Sequence, residues 1–224
     1  MVLDRIIPSS TFGLNTIEVR NMKQHNICAW VGKDPLMLAY HEDEWGVPTT
    51  DDRVFFEHIV LDTFQAGLSW SIIMKKRARF KEALDNFDPR LIAHYDESKL
   101  EELIRDEGMI RNRRKFEATI NNAQRFLEIQ KEFGSFTKFI WSFVDNKPIV
   151  NQWQLPEEVP AFSDASTALS KELKKRGMIF MGPTTCYAIM QATGLINDHL
   201  AGCHRHPILA DQAQKFKLPQ KGSA

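Results

Sequence analysis

Residues 174–185, KKRGMIFMGPTT, join two predicted helices through a short turn. A glycine follows the last basic residues of the first helix. Pro183 stands at the first position of the second, where its missing N–H costs nothing. Gly182 lets a ligand approach the backbone, and the new helix presents free N–H groups to an anion. With Lys175 and Arg176 beside it, the turn is typical of phosphate binding on a nucleic-acid backbone, although a tight interhelical turn with a solvated basic face explains it equally well.

Helical periodicity dominates the chain on both sides of this turn. From Val54 onward, apolar residues recur at i, i+3, i+4 and i+7, while strand-like alternation is scarce. The predicted fold class is therefore all-α. We expect a loosely ordered N-terminal arm at 1–25, a single compact unit at 26–206 and a disordered basic C-terminal tail at 207–224.

The composition is that of an ordinary globular protein. The 224 residues carry 29 Lys+Arg and 29 Asp+Glu, so the formal net charge is zero, and 43% of the residues are hydrophobic. These values exclude collagen-like, low-complexity and fully disordered chains, and three scattered cysteines argue against a secreted disulfide scaffold. No apolar stretch reaches the ~18 residues of a membrane helix, so we expect a cytoplasmic protein without a membrane partner.

Zero net charge argues against a nucleic-acid partner, but the charges are unevenly distributed along the chain. Basic residues cluster at 75–81 and 111–115, whereas six acidic residues lie between 96 and 107. A local basic patch binds phosphates whatever the total charge of the protein. The two basic clusters therefore favour a DNA-binding surface.

Two cysteines and two histidines have spacings that suit a metal site. His199 and Cys203 are four residues apart, which places both side chains on one face of a helix. Cys28 and His41 lie near the other end of the chain, so a shared tetrahedral site would join the two ends. Four protein ligands would leave no open position on the metal, which is typical of a structural site. In the alternative, Cys28 is a small buried residue and the histidines make local hydrogen bonds. His204 and His206 lie close to Cys203 in sequence and are competing candidates for metal ligands on the same evidence.

Aromatic residues accompany one carboxylate in the early part of the chain. Trp30, Tyr40 and Trp70 have flat faces, and Asp62 lies shortly before Trp70. Such a set suits a planar ligand that is cationic or rich in N–H groups, such as a purine base, and stacking contributes ~1–3 kcal/mol per base. An aromatic core in which Asp62 faces solvent or caps a helix accounts for the same pattern.

Five short segments form an ordered set along the chain. They are CAW at 28–30, YHEDEWGVP at 40–48, QAGLSW at 65–70, FMGPTTCY at 180–187 and NDH at 197–199. Together they resemble the 3-methyladenine DNA glycosylase I family. The resemblance covers about 26–203, which is nearly the whole chain apart from its two ends.

The resemblance implies a helix-hairpin-helix DNA glycosylase fold with a structural Zn²⁺ that joins the N- and C-terminal segments. Its zinc lobe corresponds to 26–50 plus 185–206, and its helical hairpin lobe to 51–184. The implied zinc ligands are Cys28, His41, His199 and Cys203, and the implied base pocket is Trp30, Tyr40, Trp70 and the carboxylate of Asp62. The implied DNA contacts are Gly67 and Leu68, which fill the gap left by a flipped nucleotide, with Lys175, Arg176, Gly182 and Thr184.

The implied activity is hydrolysis of the N-glycosidic bond of 3-methyladenine in alkylated double-stranded DNA after base flipping. The methylated base is cationic in the nucleotide and leaves as a neutral molecule, so no general acid is needed. Thr184 stands where bifunctional relatives carry a nucleophilic Lys, which implies a monofunctional enzyme. We expect a monomer. Asp198 is a candidate for activating water, although it adjoins a zinc ligand and the family is described as lacking such an Asp.

Two positions depart from the family pattern, and a third departs from the pattern of the wider superfamily. Asp62 replaces a Glu and is shorter by one C–C bond, about 1.5 Å. Arg114 replaces a Gly in RNRRK at 111–115, and Phe180 stands where the wider superfamily carries a Gly. The shorter carboxylate leaves a second interpretation open, a DNA-damage binder with altered or lost base specificity. A third is a zinc hydrolase of small molecules, which four protein ligands would exclude because a catalytic zinc keeps an open position.

Overall fold

The computed structural model describes residues 26–219 and consists mainly of helices, as the sequence predicts; the expected arm at 1–25 lies outside the described residues. The helices are α1 Pro35–Asp43, α2 Asp52–Gln65, α3 Trp70–Ala83, α4 Pro89–Ile92, α5 Glu97–Arg105, α6 Arg113–Phe133, α7 Phe136–Trp141, α8 Asp164–Lys175, α9 Pro183–Ala192 and α10 Arg205–Lys215. Short 3-10 helices are Ala29–Val31, Asp85–Phe87, Ser142–Val144 and Pro156–Glu158. The strands β1 Ile149–Val150 and β2 Ile196–Asn197 pair in parallel. None of the helices in the described part of the chain is long and apolar enough to cross a membrane.

Helix α2 occupies the centre of the fold. It begins after Asp51, whose carboxylate accepts a hydrogen bond of 2.8 Å from the Arg53 N–H. Nine of its 14 residues are buried, so the helix is surrounded by others rather than laid on a surface. The buried residues of this helix include the polar side chains of His58, Asp62 and Thr63. Asp62 reaches the interior of the protein in this way.

Phenylalanines fill the core between α2, α6 and α7. Phe56 of α2 packs edge-on against Phe126 of α6, with ring centroids 5.1 Å apart. Phe126 also stacks on Phe136 of α7 at 4.3 Å. All three rings are completely buried, and each contributes roughly 1.5–3 kcal/mol to the free energy of unfolding. The apolar positions in residues 113–133 recur with helical period and predict one long amphipathic helix, and α6 has these bounds.

The turn between α8 and α9 is attached to α6 by two asparagines. The amide of Asn122 donates to the Ile179 carbonyl at 2.9 Å and accepts from the Ile179 N–H at 2.8 Å. Asn121 donates to the Gly177 carbonyl at 2.8 Å. Phe180 has a φ of 63°, a left-handed conformation that favours glycine. The hydrogen bonds therefore hold a strained turn in one conformation against a long helix.

The C-terminal end differs from the sequence prediction. Much of the expected disordered tail is the helix α10, and its Leu209 is buried. Just beyond it, Phe216 stacks on Trp141 with ring centroids 4.2 Å apart. Pro207 is compatible with α10 because it lies in the first turn, where a missing N–H breaks no intrahelical bond. The early proline and the few apolar residues left little periodicity from which to predict this helix.

Candidate functional site

Four side chains from the two ends of the chain meet in one buried cluster, formed by Cys28, His41, His199 and Cys203. Their ligand atoms all lie within 4.8 Å of one another. Cys203 Sγ is 3.4 Å from His41 Nε2 and 3.5 Å from His199 Nδ1. Cys28 Sγ is 3.7 Å from His199 Nδ1. A tetrahedron with Zn–S of about 2.3 Å and Zn–N of about 2.0–2.1 Å has edges of roughly 3.5 Å. The cluster therefore has the size and composition of a four-ligand metal site.

Hydrogen bonds on the far side of each imidazole determine which nitrogen faces the cluster. Glu42 accepts from His41 Nδ1 at 2.8 Å, which leaves Nε2 for a metal. The Trp45 carbonyl accepts from His199 Nε2 at 3.0 Å, which leaves Nδ1 for a metal. These two nitrogens are the ones that lie close to the Cys203 sulfur.

The two competing histidines lie outside the cluster. His204 Nε2 is 2.7 Å from Glu42 Oε2, so the same carboxylate contacts His41 and His204. His206 Nε2 donates to the Asn151 carbonyl at 2.7 Å. Local hydrogen bonds thus account for these two histidines, whereas four ligand atoms directed at one point are not explained by local bonding.

A cavity of about 440 Å³ lies beside the cluster. The four residues predicted to form a base pocket, Trp30, Tyr40, Asp62 and Trp70, all line it. The rest of its wall includes Cys28, Trp45, Gln65, Val159, Gln191 and Leu200. The structure therefore brings the predicted pocket residues together, and Cys28 of the Cys/His cluster belongs to the same wall.

Aromatic rings form a continuous wall from the cluster to the carboxylate. Trp30 packs edge-on against His41 and Tyr40, with centroid distances of 5.6 and 6.3 Å. Tyr40 in turn lies 5.4 Å from Trp70. Tyr40 is buried, whereas Trp30 is 41% exposed and so borders the opening of the cavity. Because His41 belongs to the cluster, the cluster supports the surface on which a flat ligand would stack.

Asp62 is buried in the cavity wall with an exposure of 5%. Its Oδ2 lies 3.5 Å from Nδ1 of His58, one helical turn earlier, and makes no hydrogen bond within the described residues. Burial raises the pKa of the Asp62 carboxyl, and the His58 imidazole opposes that rise. Nε1 of Trp70 is also buried without a partner there. Buried polar atoms are nearly always hydrogen-bonded, so these atoms indicate a site that a ligand completes.

Asp198 also lines the cavity, but donors surround its carboxylate. Asn151 and Trp153 donate to Oδ1 at 2.7 and 2.8 Å. Tyr187 and Gln191 donate to Oδ2 at 2.5 and 2.7 Å. A carboxylate has about four lone-pair sites, so four donors leave none for a water molecule. The contacts favour a structural role for Asp198 over the activation of water.

The loop that carries Gly67 and Leu68 follows α2 directly. Gly67 has a φ of 82°, which favours glycine, and Leu68 is 37% exposed. Nζ of Lys115 donates hydrogen bonds of 2.7 Å to the carbonyls of Phe64 and Ala66 at the end of α2. Lys115 was grouped with the second basic cluster from the sequence, yet it is buried and holds this loop. It is therefore not part of a basic surface.

The predicted basic cluster at 75–81 is largely neutralised by acidic side chains. Arg77 pairs with Glu44 and with Glu57, each at an N–O distance of 2.7 Å. Arg79 pairs with Asp106 at 2.6 Å, and Lys75 with Asp34 at 3.4 Å. These carboxylates come from distant segments of the chain, which the local sequence could not indicate. The cluster is consequently not a free basic patch.

The hairpin residues predicted to contact DNA differ in their surroundings. The exposed ones are Lys175 and Thr184. Arg176 is paired with Glu132 at 2.6 Å and with Glu172 at 2.8 Å. Gly182 has an ordinary φ of −72°, and a Cβ added there would meet no protein atom within 4 Å. Neither conformation nor packing requires glycine at this position, so the open space above the N-terminus of α9 is available to a ligand.

Sequence reasoning missed three residues that support the site. His58 stands beside Asp62, Lys115 fixes the loop after α2, and Glu42 orients His41. The i,i+4 spacing of His58 and Asp62 was a signal available from the sequence, as was the adjacency of Glu42 to a predicted ligand. Nothing local indicated that Lys115 reaches a carbonyl 49 residues away.

The chain is similar in sequence to two bacterial DNA glycosylases. The chain is 47% identical over 180 residues to DNA-3-methyladenine glycosylase 1 of Escherichia coli (strain K12), a match that covers 80% of this chain and 96% of the relative. It is 46% identical over 176 residues to DNA-3-methyladenine glycosylase of Haemophilus influenzae (strain ATCC 51907 / DSM 11121 / KW20 / Rd), covering 79% and 95%. These relatives are DNA glycosylases.

Solved structures and the family model agree with that class. The crystal structure of 3-methyladenine DNA glycosylase I superposes with a TM-score of 0.79 at 47% identity, covering 81% of this chain and all of the other. The Staphylococcus aureus enzyme, solved to explain its recognition of 3-methyladenine, gives 0.79 at 37% identity, covering 82% and 97%. Residues 30–206 match the methyladenine glycosylase family. The chain belongs to this family, which confirms the resemblance found in the sequence.

Proposed function

We propose that this chain hydrolyses the N-glycosidic bond of 3-methyladenine in alkylated double-stranded DNA. The observation that carries the proposal is the carboxylate of Asp62, buried in the wall of an aromatic cavity of about 440 Å³. Cavities of this size hold small ligands in many proteins. The relatives at 47% and 46% identity are named for the same substrate.

The pocket chemistry suits a cationic base. 3-Methyladenine is positively charged in the nucleotide and leaves as a neutral base, so the protein has to extrude, stack and select it. The faces of Trp30, Tyr40 and Trp70 attract a cationic ring. The Asp62 carboxylate accepts hydrogen bonds from the N–H edge of the base, and its charge favours an oxocarbenium-like sugar in the transition state. No general acid is required for this leaving group.

The proposed DNA contacts are Gly67, Leu68, Lys175, Arg176, Gly182 and Thr184. Leu68 is exposed on the loop next to the pocket helix, where it can enter the space left by a flipped nucleotide. The N-terminus of α9, with Gly182 and the Lys175 ammonium, supplies backbone N–H groups and charge to a phosphate. Arg176 already pairs with two glutamates, so a phosphate at its guanidinium competes with them.

The buried cluster is proposed to hold a structural Zn²⁺. Two sulfurs and two imidazole nitrogens within 4.8 Å of one another are a donor set that zinc prefers. Four protein ligands close the site, so the metal would stabilise the lobe formed by 26–50 and 185–206 without taking part in the reaction. A closed site also argues against a zinc hydrolase of small molecules.

The remaining assignments belong to the same proposal. They are a helix-hairpin-helix motif around the turn at 176–185 in the lobe 51–184, a monomer, and a cytoplasmic location. Thr184 has no amine for a Schiff base, so the enzyme is monofunctional. Incubation with abasic DNA and borohydride checks this point, because a trapped covalent adduct would contradict it.

The experiment that tests the function measures bases released from methylated double-stranded DNA, resolved by chromatography against a panel of alkylated purines. We expect the native chain to release 3-methyladenine. Asp62→Asn removes the negative charge that strengthens the hydrogen bond to the base and should be slower by about 10- to 100-fold. No release by the native chain, with release restored by Asp62→Glu, would replace the proposal with a damage binder that has lost the family's chemistry.

A further inference from the structure

His58 and Asp62 form an isolated pair in the pocket wall. Their exposures are 2% and 5%, and Nδ1 of His58 is 3.5 Å from Oδ2 of Asp62. Neither atom has a hydrogen-bond partner in the described residues, so the 3.5 Å contact between them is a charge contact at the outer limit of hydrogen-bond distance. The imidazole ring lies parallel to Trp70 at 6.2 Å and tilted against Tyr40 at 6.4 Å, so two pocket aromatics hold it in place.

The short side chain of Asp62 makes the ionisation state of its carboxyl depend on a neighbouring donor. An aspartate at this position is one methylene shorter than the glutamate of the family pattern, and it stays close to its own helix. Burial favours the protonated form of such a carboxyl, which has no charge to offer a cationic base. A hydrogen-bond donor to Oδ2, the oxygen that faces His58, favours the ionised form and also fixes the plane of the carboxylate.

Other titratable groups that face Asp62 do not supply that donor. Tyr40 from α1 and Cys186 from α9 are both buried. Burial raises the pKa of Tyr40 well above its usual range and that of Cys186 to about 12, so both are neutral at pH 7 and bring no positive charge, and neither donates a hydrogen bond to Oδ2 of Asp62. Nδ1 of His58 lies 3.5 Å from Oδ2, and a ring N–H can donate whether or not the imidazole is charged. His58 is thus the neighbour able to stabilise an ionised Asp62.

We propose that His58 is a positioning residue for base recognition. Its Nδ1–H binds Oδ2 of Asp62, keeps the carboxylate ionised and leaves the other oxygen for the N–H edge of the base. His58 contacts Asp62 and not the base itself. This inference rests on the proposed function, since it assigns the residue that makes Asp62 effective in that role.

The test compares His58→Leu, which removes the donor, with His58→Asn, whose amide N–H lies near the position of Nδ1. We expect His58→Leu to lower kcat/KM for 3-methyladenine release by about tenfold or more. The acidic limb of the pH profile of kcat/KM for His58→Leu should move to higher pH, because Asp62 then accepts a proton more readily. His58→Asn should restore most of the activity at pH 7.5. In an Asp62→Asn background, loss of His58 should have little additional effect.

Two outcomes would overturn the inference. One is an equal loss in both variants with an unmoved acid limb, which indicates a packing role. The other is a His58→Leu loss that simply adds to the Asp62→Asn loss. His94→Leu, at an exposed histidine, is the control and should behave as the native chain. Imidazole ¹⁵N NMR of His58 in the native chain and in Asp62→Asn gives an answer independent of turnover. If no base is released, the proposed function fails, and an Nδ1 signal that responds to Asp62→Asn still supports the pair.

Discussion

The Arg114 guanidinium lies over the ring of Phe180, with its central carbon 5.5 Å from the ring centroid. Arg114 stands where the family pattern has glycine and Phe180 where many members of the wider superfamily have it, so these two positions, 66 residues apart in sequence, meet in space. Phe180 is held in a left-handed conformation, and the cation–π contact contributes about 0.5–1 kcal/mol toward keeping it there. The contact also places a positive charge beside the hairpin turn. Arg114 has no carboxylate partner in the described part of the chain.

Arg114→Ala should therefore weaken DNA binding through the phosphate backbone. We expect a loss of affinity that is similar for all DNA sequences, and a slope of log K against log salt that is smaller by about 0.9. Fluorescence anisotropy with a labelled duplex at several salt concentrations measures both quantities. Arg105→Ala is a matched control, because Arg105 is exposed on α5 and paired with Glu101. An unchanged salt slope in Arg114→Ala would show that this charge does not face DNA.

Lys115→Met should impair the loop that carries Leu68. The substitution leaves the carbonyls of Phe64 and Ala66 without donors, and each orphaned group costs about 1–3 kcal/mol. We expect a lower melting temperature and a lower kcat/KM on duplex DNA, with a smaller effect on single-stranded substrate, where no gap has to be filled. Lys131→Met on the exposed face of the same helix is the control. Equal melting temperatures of the two variants would contradict the assignment.

The fold was predictable wherever one helix face is apolar over several turns. Helix α6 has the predicted bounds because its apolar positions recur with helical period and Asn112 caps its N-terminus. Helix α10 was missed because its packing depends on Leu209 and the adjacent Phe216, which contact distant parts of the chain. Apolar periodicity predicts local amphipathic helices, but it does not predict a helix that is held by one or two contacts with distant residues.

The site was predictable in its chemistry and less so in its supports. Residue type and the family resemblance identified the four cluster residues and the pocket residues, because thiols, imidazoles and aromatic faces have few other uses in that combination. Ion pairing could not be predicted, since Arg77 and Arg176 find their carboxylates through tertiary packing. Charge counted along a sequence therefore overestimates the free basic surface.

Glu42→Gln should weaken metal binding without touching a ligand. Glu42 accepts from His41 Nδ1 and fixes the tautomer that presents Nε2 to the cluster. Loss of such an outer contact typically lowers metal affinity by about 10- to 100-fold. Competition with a chromogenic chelator measures the change. Asp43→Asn, at the adjacent exposed carboxylate, should leave the affinity as it is. An affinity unchanged in Glu42→Gln would mean that His41 keeps its orientation by packing alone.

Removal of the metal should disturb the aromatic pocket. Trp45 packs on His199 at 4.6 Å and Trp30 on His41 at 5.6 Å, so both indoles report on the cluster. We expect chelation to change tryptophan fluorescence and to lower stability by about 4 kcal/mol, if free Zn²⁺ stood at 1,000 times its Kd. Cys203→Ser should reproduce the change without chelator. Fluorescence and melting temperature that do not respond to chelation would argue against a bound metal.

Asp62→Asn should stabilise the protein at neutral pH while it abolishes most base release. Burial raises the pKa of the folded Asp62 carboxyl above its unfolded value of about 3.9. Its ionisation therefore opposes folding: the penalty is absent below the unfolded pKa, grows as pH rises between the two pKa values, and is complete above the folded one. Asparagine does not ionise. We expect a higher melting temperature at pH 7.5, by about 2–4 °C for each kcal/mol regained, and a difference from the native chain that shrinks toward pH 4. Thermal unfolding followed by circular dichroism measures this. A variant that melts below the native chain at pH 7.5 would show that the pKa of the folded Asp62 carboxyl does not lie above its unfolded value.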